Sequence, residues 1–343
     1  MEVANPPAAA SNSLRGWGET NLRAIGTKIL PIAFDSFGVR SMSTLVSIGD
    51  LTFHIDPGVA LGPTRYGLGP TDAELKALEL SREKIMEVSR KAEVSIVTHY
   101  HYDHHPFPDD DEMYERCFKD KLVLAKDRTK DINLSGKKRG QIFDSKARGL
   151  ARAIEWADDK DFELGGVHVS FSPAVWHGEV GSKVGRVIMV YMEKGKDSLL
   201  FGSDAQNLAD PKALEWLLEK DPRFMILDGF PTIFLGWRMA AASFERSKEN
   251  LKRAIQETRA ETIILDHHIL RDIQYKEKME DIFELAADLK KRLLSAAEFY
   301  GLENFFLEAW RKEISRGERR VDVEAYFKGL SDKIDPILDA GAG

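Results

Sequence analysis

Nine histidines occur in the chain, and seven of them fall in three short clusters. The densest is His99-Tyr100-His101-Tyr102-Asp103-His104-His105, four imidazoles and one carboxylate in seven residues. Burying such a group is costly unless something neutralises or coordinates it. Imidazole and carboxylate are the ligands that borderline divalent metals prefer, zinc above all. An irregular loop suits this density, because alternate side chains converge on two points only where the backbone turns. Trp176-His177-Gly178, Gly202-Ser203-Asp204 and Asp266-His267-His268 complete the series. Each motif has a bland alternative: a His-rich surface loop, a core histidine at His177, a turn or helix cap at Asp204. Their repetition in one chain favours metal ligation.

Each motif follows an apolar run: Val94–Thr98, Val167–Phe171, Leu199–Phe201 and Ile263–Leu265. Strand ends are where open α/β sheets place their ligand sites. Ahead of them, Ile29–Phe34, Ser43–Ile48 and Leu51–Asp56 read as an antiparallel meander separated by turn residues. Pro57–Thr71, with four glycines and three prolines, reads as a loop. Thr71-Asp72-Ala73-Glu74 is a capping box that opens a helix. Leu122–Ala125, Val187–Met192 and Phe224–Leu227 read as further strands, and Ala147–Trp156 as a helix. From Tyr275 the period becomes helical through Met279, Ile282, Phe283, Ala286, Leu289 and Leu293, then again over Phe305–Ile314 and Val323–Leu330. The expected class is α/β, two sheets with helices outside. We divide it into a poorly ordered leader over 1–20, a catalytic domain over 21–275 and a helical extension over 276–343 packed on the core, its last residues, Asp339 to Gly343, fraying. Apolar stripes in that extension suit helix packing, with a homo-oligomer interface as the alternative.

At 343 residues, 43% hydrophobic and 31% charged, the chain has the composition of a globular protein and excludes a disordered or collagen-like one. One cysteine, Cys117, excludes a disulfide framework and an all-cysteine zinc site. A formal charge of -7 argues against a nucleic-acid partner, and no apolar run approaches a membrane span. The N-terminus lacks a signal core, which makes a cytoplasmic location the expectation. Four glutamines beside so much charge lean towards a thermophile source.

The order His-x-His-x-Asp-His, then a distant His, Asp and His at strand ends, resembles the metallo-β-lactamase superfamily. Within it the chain is similar to an uncharacterised archaeal group of predicted metal-dependent hydrolases. The resemblance covers about Thr27 to Arg271 and includes Asp56, after a strand in Ile55-Asp56-Pro57-Gly58. It implies an αββα sandwich with a dinuclear site between the sheets. It also implies that His99, His101 and His177 bind one metal. Asp103, His104 and one of His267 or His268 would bind the other, Asp204 would bridge them, and Asp56 would orient ligands from behind. Arg271 stands four residues after His267, a spacing shared with the superfamily's transfer-RNA-processing nucleases, which favours His267. The segment His105-Pro106-Phe107-Pro108 with the acidic run Asp109–Glu112 departs from the family, which commonly has small residues there.

The function expected from this set is hydrolysis by a hydroxide shared between two divalent ions, zinc first and Mn2+ or Fe2+ as alternatives. Asp103 and Asp204 would serve the catalytic centre, and His105 would either contact substrate or pack behind it. The partner is a small ester, a phosphoester ahead of a lactone or thioester. Arg65 and Arg271, with Arg40 beside them, are candidates for binding an anionic group. A long-RNA nuclease fits less well without a basic appendage. A di-iron redox protein of this fold would have Glu at the place of His101 and carry a flavin-binding domain. A silent metal-binding scaffold would lack a ligand, and this set is complete.

Overall fold

In the computed structural model, which describes residues 27–340, six strands form the first sheet: β1 (Lys28–Phe34), β2 (Met42–Ile48), β3 (Leu51–Ile55), β4 (Val94–Val97), β5 (Leu122–Ala125) and β6 (Ala153–Trp156). They lie side by side in sequence order. The first three pair antiparallel, as short turns require, and β3 to β6 run parallel. Parallel pairing needs crossovers. These are supplied by α1 (Asp72–Ser89), α2 (Asp111–Phe118) and α3 (Leu134–Ala147). Both bonds of the α1 capping box are made: Thr71 N–H donates to Glu74 Oε2 at 2.9 Å, and Glu74 N–H donates to Thr71 Oγ1 at 3.3 Å.

The second sheet takes β7 (Asp161–Leu164) and β8 (Val167–Phe171), then, past the short ribbon β9 (Val175–Trp176) and β10 (Arg186–Val187), β11 (Val190–Lys194), β12 (Asp197–Phe201), β13 (Phe224–Asp228), β14 (Thr262–Asp266) and β15 (Arg292–Leu294). Its order is β15-β14-β13-β12-β11-β8-β7, parallel from β12 to β15. Strand parity divides its core. Leu199, Phe201, Ile226 and Ile264 join the cluster shared with the first sheet. Leu200, Met225, Leu227, Ile263 and Leu265 pack outward against α4 (Pro211–Lys220) and α5 (Ala241–Glu257). Apolar on both faces, these strands lie between a sheet and a helix layer, the αββα sandwich. Among the described residues, no helix is long and apolar enough to cross a membrane.

Several sequence expectations are corrected. The helix placed over Ala147–Trp156 ends where it was to begin: α3 precedes it, and Ala153–Trp156 is strand β6. α3 buries only Gly140, Phe143, Asp144 and Ala147, too thin an apolar stripe to stand out among its lysines and arginines. The helical run through Leu293 is broken by β15, which joins β14 in parallel and weaves the C-terminal part into the second sheet. Of the expected Phe305–Ile314 helix only the end is helical, within Arg311–Ser315; turns precede it. β7, a half-exposed edge strand, is absent from the sequence reading. Asp339 closes the last helix, Val323–Asp339, in place of fraying. The leader expected over 1–20 and the last tail residues, 341–343, lie outside the described residues.

Candidate metal centre

The parallel strands of both sheets deliver their C-terminal ends to one edge. β3 leads into Asp56, β4 through Thr98 into His99, β12 towards Asp204, β13 ends on Asp228 and β14 leads into His267. Left-handed backbone at Asp56 (φ 49), Ser203 (φ 48) and His267 (φ 62) turns the chain sharply at three of these ends. Such conformations are disfavoured for residues with a Cβ and concentrate at functional sites. Gly58 is needed for a different reason. A Cβ there would lie 2.1 Å from the backbone nitrogen of His105, so only glycine lets the β3 loop pass beneath the His-rich turn.

Asp204 is fully buried at the centre. Its Oδ2 lies 2.9 Å from His177 Nε2, 3.5 Å from His99 Nε2 and 3.6 Å from His267 Nε2, while Oδ1 lies 3.0 Å from His104 Nε2. Yet the Nε2 atoms of His99, His104 and His177 and both Asp204 oxygens make no properly directed hydrogen bond. Buried polar atoms are rarely left so, and a cluster of them converging on one point fits the coordination of a cation. The donor atoms form two neighbouring sets, each within 4.8 Å: His99, His101, His177 and Asp204, and Asp103, His104 and His267. The residues fit the binding of a divalent metal. His268 belongs to a third group with Asp204 and His267. Its Nδ1 is engaged by Asp228 at 2.9 Å, and its backbone N–H donates to the same carboxylate at 3.1 Å.

Behind these atoms stand partners that orient them. Asp56 Oδ2 meets His104 Nδ1 at 2.8 Å and accepts from Thr98 Oγ1 at 2.6 Å, while its Oδ1 accepts from the Thr98 N–H at 2.8 Å. Thr98 Oγ1 also meets Ser203 Oγ at 2.6 Å, linking the two sheets. Asp35, on the turn after β1, holds His267 Nδ1 at 2.6 Å and accepts from Arg271 Nε at 2.8 Å. Sequence reading missed Asp35, Thr98 and Ser203. Asp228, which grips His268, also acts from behind the site. The signal for Thr98 was its place before His99; Asp35 had none, because it lies in a turn motif far from any other site residue.

Electrostatics follow from burial and crowding. Burial opposes ionisation of Asp204, but His104, His267, His99 and His177 outweigh it and hold the carboxyl well below its usual range. Burial pushes His99 down to about 4, with His104 beside it adding repulsion. His267 goes the other way, up to about 10, because Asp35 and Asp204 overcome its burial. One pocket therefore holds a neutral, lone-pair-bearing His99 beside a fixed carboxylate, whereas His267 keeps a proton that a metal would have to displace.

His105 is not brought to this group. It is 1% exposed, its ring packed against Tyr100, Tyr102 and Phe143 with centroids 5.9, 5.3 and 5.5 Å away. That placement suits the packing alternative. Arg271 is buried beside the site, its Nη2 3.4 Å from His267 Nε2 and 3.9 Å from Asp103. Arg40 and Arg65 stand further out, both on Glu308.

No protein-family model matches the chain. It is 44% identical over 308 residues to the UPF0282 protein of Thermococcus gammatolerans, across 88% of this chain and 99% of that one. It is 42% identical over 317 residues to the UPF0282 protein PH1002 of Pyrococcus horikoshii, again across 88% and 99%. Among solved structures it is similar to the metallo-β-lactamase fold protein YhfI from Bacillus subtilis (TM-score 0.47, 14% identity, 81% of this chain and 97% of that one). It is also similar to an isothiocyanate hydrolase from Delia radicum gut bacteria (TM-score 0.46, 16% identity, 75% and 94%).

Proposed function

We propose that this chain, which belongs to the UPF0282 family, is a dinuclear metal-dependent hydrolase of small anionic esters, phosphoesters first. One observation carries the reading: both oxygens of a fully buried Asp204 and three imidazole Nε2 atoms face one another without hydrogen bonds. His99, His101 and His177 would hold one ion, Asp103, His104 and His267 the other, and Asp204 both. When bound, such ions lower the pKa of water towards about 7 and offset charge developing on the substrate oxygens.

The chain's own residues do the rest. Asp56 and Asp35 fix the tautomers of His104 and His267 by taking their Nδ1 sides, which leaves each Nε2 directed inward. Arg271 adds a guanidinium within reach of an anionic substrate at the Asp103 side. Asp228 orients His268 in the same way, but His268 stands outside the donor set of Asp103, His104 and His267. A two-ion site can stabilise both attacking and leaving oxygens of an in-line displacement, which favours phosphoesters over carboxylic esters.

The test is zinc reconstitution with elemental analysis, followed by a panel of phosphomono-, di- and triesters, lactones and thioesters. The reading expects two zinc equivalents and phosphoester cleavage. Fewer than one equivalent sinks the dinuclear site, and lactone or thioester cleavage without phosphoester turnover moves the substrate class.

A further inference from the structure

Outside the ligand group, three guanidinium groups and two carboxylates line one side of the site. Arg271 uses Nε on Asp35, and Arg40 binds Glu308 through both Nε (2.7 Å) and Nη2 (2.8 Å). Arg65 reaches Glu308 at only 3.4 Å, and its other terminal nitrogen donates to the Tyr66 hydroxyl at 3.0 Å. The Arg40–Glu308 pair is the two-pronged geometry in which arginine holds a carboxylate or phosphate from any source. Between Arg271 and this pair lies a cavity of ≈ 10 Å³, room for about one water, walled by the carboxylates of Asp35, Glu74 and Glu308 and by Val39 and Leu61. Arg271, on the Asp103 side, and Arg40 thus face one cavity, and Glu308 holds Arg40 and Arg65 together at its outer end.

Glu308 is not what anchors its own segment. Arg311, fully buried, does that: it pairs with Glu74 at 2.7 Å and donates to the carbonyls of Gly62 at 2.7 Å and Leu68 at 3.0 Å. Leu307 is fully buried, and the Phe305 N–H donates to Ser36 O at 2.8 Å. Against that, the Arg40, Arg65 and Glu308 side chains remain 24%, 12% and 14% exposed. Solvent reaches the ion pair, whereas the anchor is dry.

We propose that Arg40 and Arg65 form a subsite for a second anionic group of the substrate, a carboxylate or phosphate beyond the scissile ester, and that Glu308 occupies it until substrate displaces it. This rests on the hydrolase reading and narrows its substrate class to doubly anionic compounds. The C-terminal part of the chain then takes part in substrate selection through Glu308.

Calorimetry on the zinc-loaded full chain tests this with two probes, methylphosphonate and phosphonoacetate, which differ by one carboxylate. Phosphonoacetate is expected to bind about 10-fold tighter. In Arg40→Gln and in Arg65→Gln the ratio of the two affinities falls towards one, a comparison made within each variant and so independent of its zinc content. Glu308→Gln, which removes the competing charge, raises the ratio. A ratio kept in both arginine variants, or a fall in Glu308→Gln, overturns the subsite. If neither probe binds a protein that has taken up zinc, the hydrolase reading itself fails; if methylphosphonate binds and phosphonoacetate gains nothing, only the subsite fails.

Discussion

Asp35 and His267 are 232 residues apart in sequence, and the carboxylate of one lies 2.6 Å from Nδ1 of the other. The turn after the first strand therefore sets the ring orientation of a histidine at the end of the fourteenth. A carboxylate behind a ligating imidazole fixes its tautomer and raises its basicity.

The first prediction follows from that pair. Asp35→Asn should weaken binding of the more loosely held zinc by about 10–100-fold, as loss of such a supporting partner does elsewhere. Competition with a chromophoric chelator measures it. Unchanged affinity for both ions would show that the carboxylate serves Arg271 alone.

A second prediction separates the tandem histidines. His267→Ala should lose one zinc equivalent, whereas His268→Ala should keep both, since His267 shares a donor set with Asp103 and His104 and His268 does not. Asp103→Ala should resemble His267→Ala and leave the fold intact, because it removes a donor and no core packing. The reverse pattern of zinc counts would reassign the site.

The third concerns the dry anchor. Arg311 and Glu74 side chains are 0% and 1% exposed. Arg311→Met leaves a buried carboxylate without its cation and should destabilise the fold by about 3–5 kcal/mol. Adding Glu74→Gln should recover part of that loss, because no charge is then stranded. Urea denaturation of the single and double variants decides; a double variant no more stable than the single one contradicts the argument.

The fourth is a pH dependence away from the metal centre. His54 lies fully buried between Ser43 Oγ at 2.8 Å and Ser89 Oγ at 2.6 Å. Burial, then the nearby Lys121, holds its pKa well below the ordinary 6.5. A histidine depressed on folding binds its proton more tightly when unfolded. Its contribution is thus fully present above 6.5 and is lost as pH falls from there towards the folded value, by up to about 1.4 kcal/mol per pH unit. His54→Gln should therefore lose less stability than the parent between about pH 7 and about pH 5.5. Parallel stability curves for the two proteins would refute it.

The sequence by itself determined which residues could act as donors and the order in which they follow one another. The donor residues could be read from His99 to His267 because each sits at the end of an apolar run, and local burial writes such runs into neighbouring positions. The sandwich was legible for the same reason, as was the α1 cap, whose two bonds span three residues. Weak local patterns hid α3, β6 and β15, since a half-exposed edge strand or a thin helical stripe carries little periodicity. Strand parity could not choose between His267 and His268, because Ile263, Ile264 and Leu265 are all apolar. The left-handed backbone at His267 then resets which side follows. Only the tertiary structure decided the supporting contacts: Asp35 with His267, Asp228 with His268, Glu308 with Arg40 and Arg311 with Glu74. These join residues 40 to 268 positions apart, where pairing depends on how the sheets stack and the crossovers return, and no short-range pattern in the chain records that.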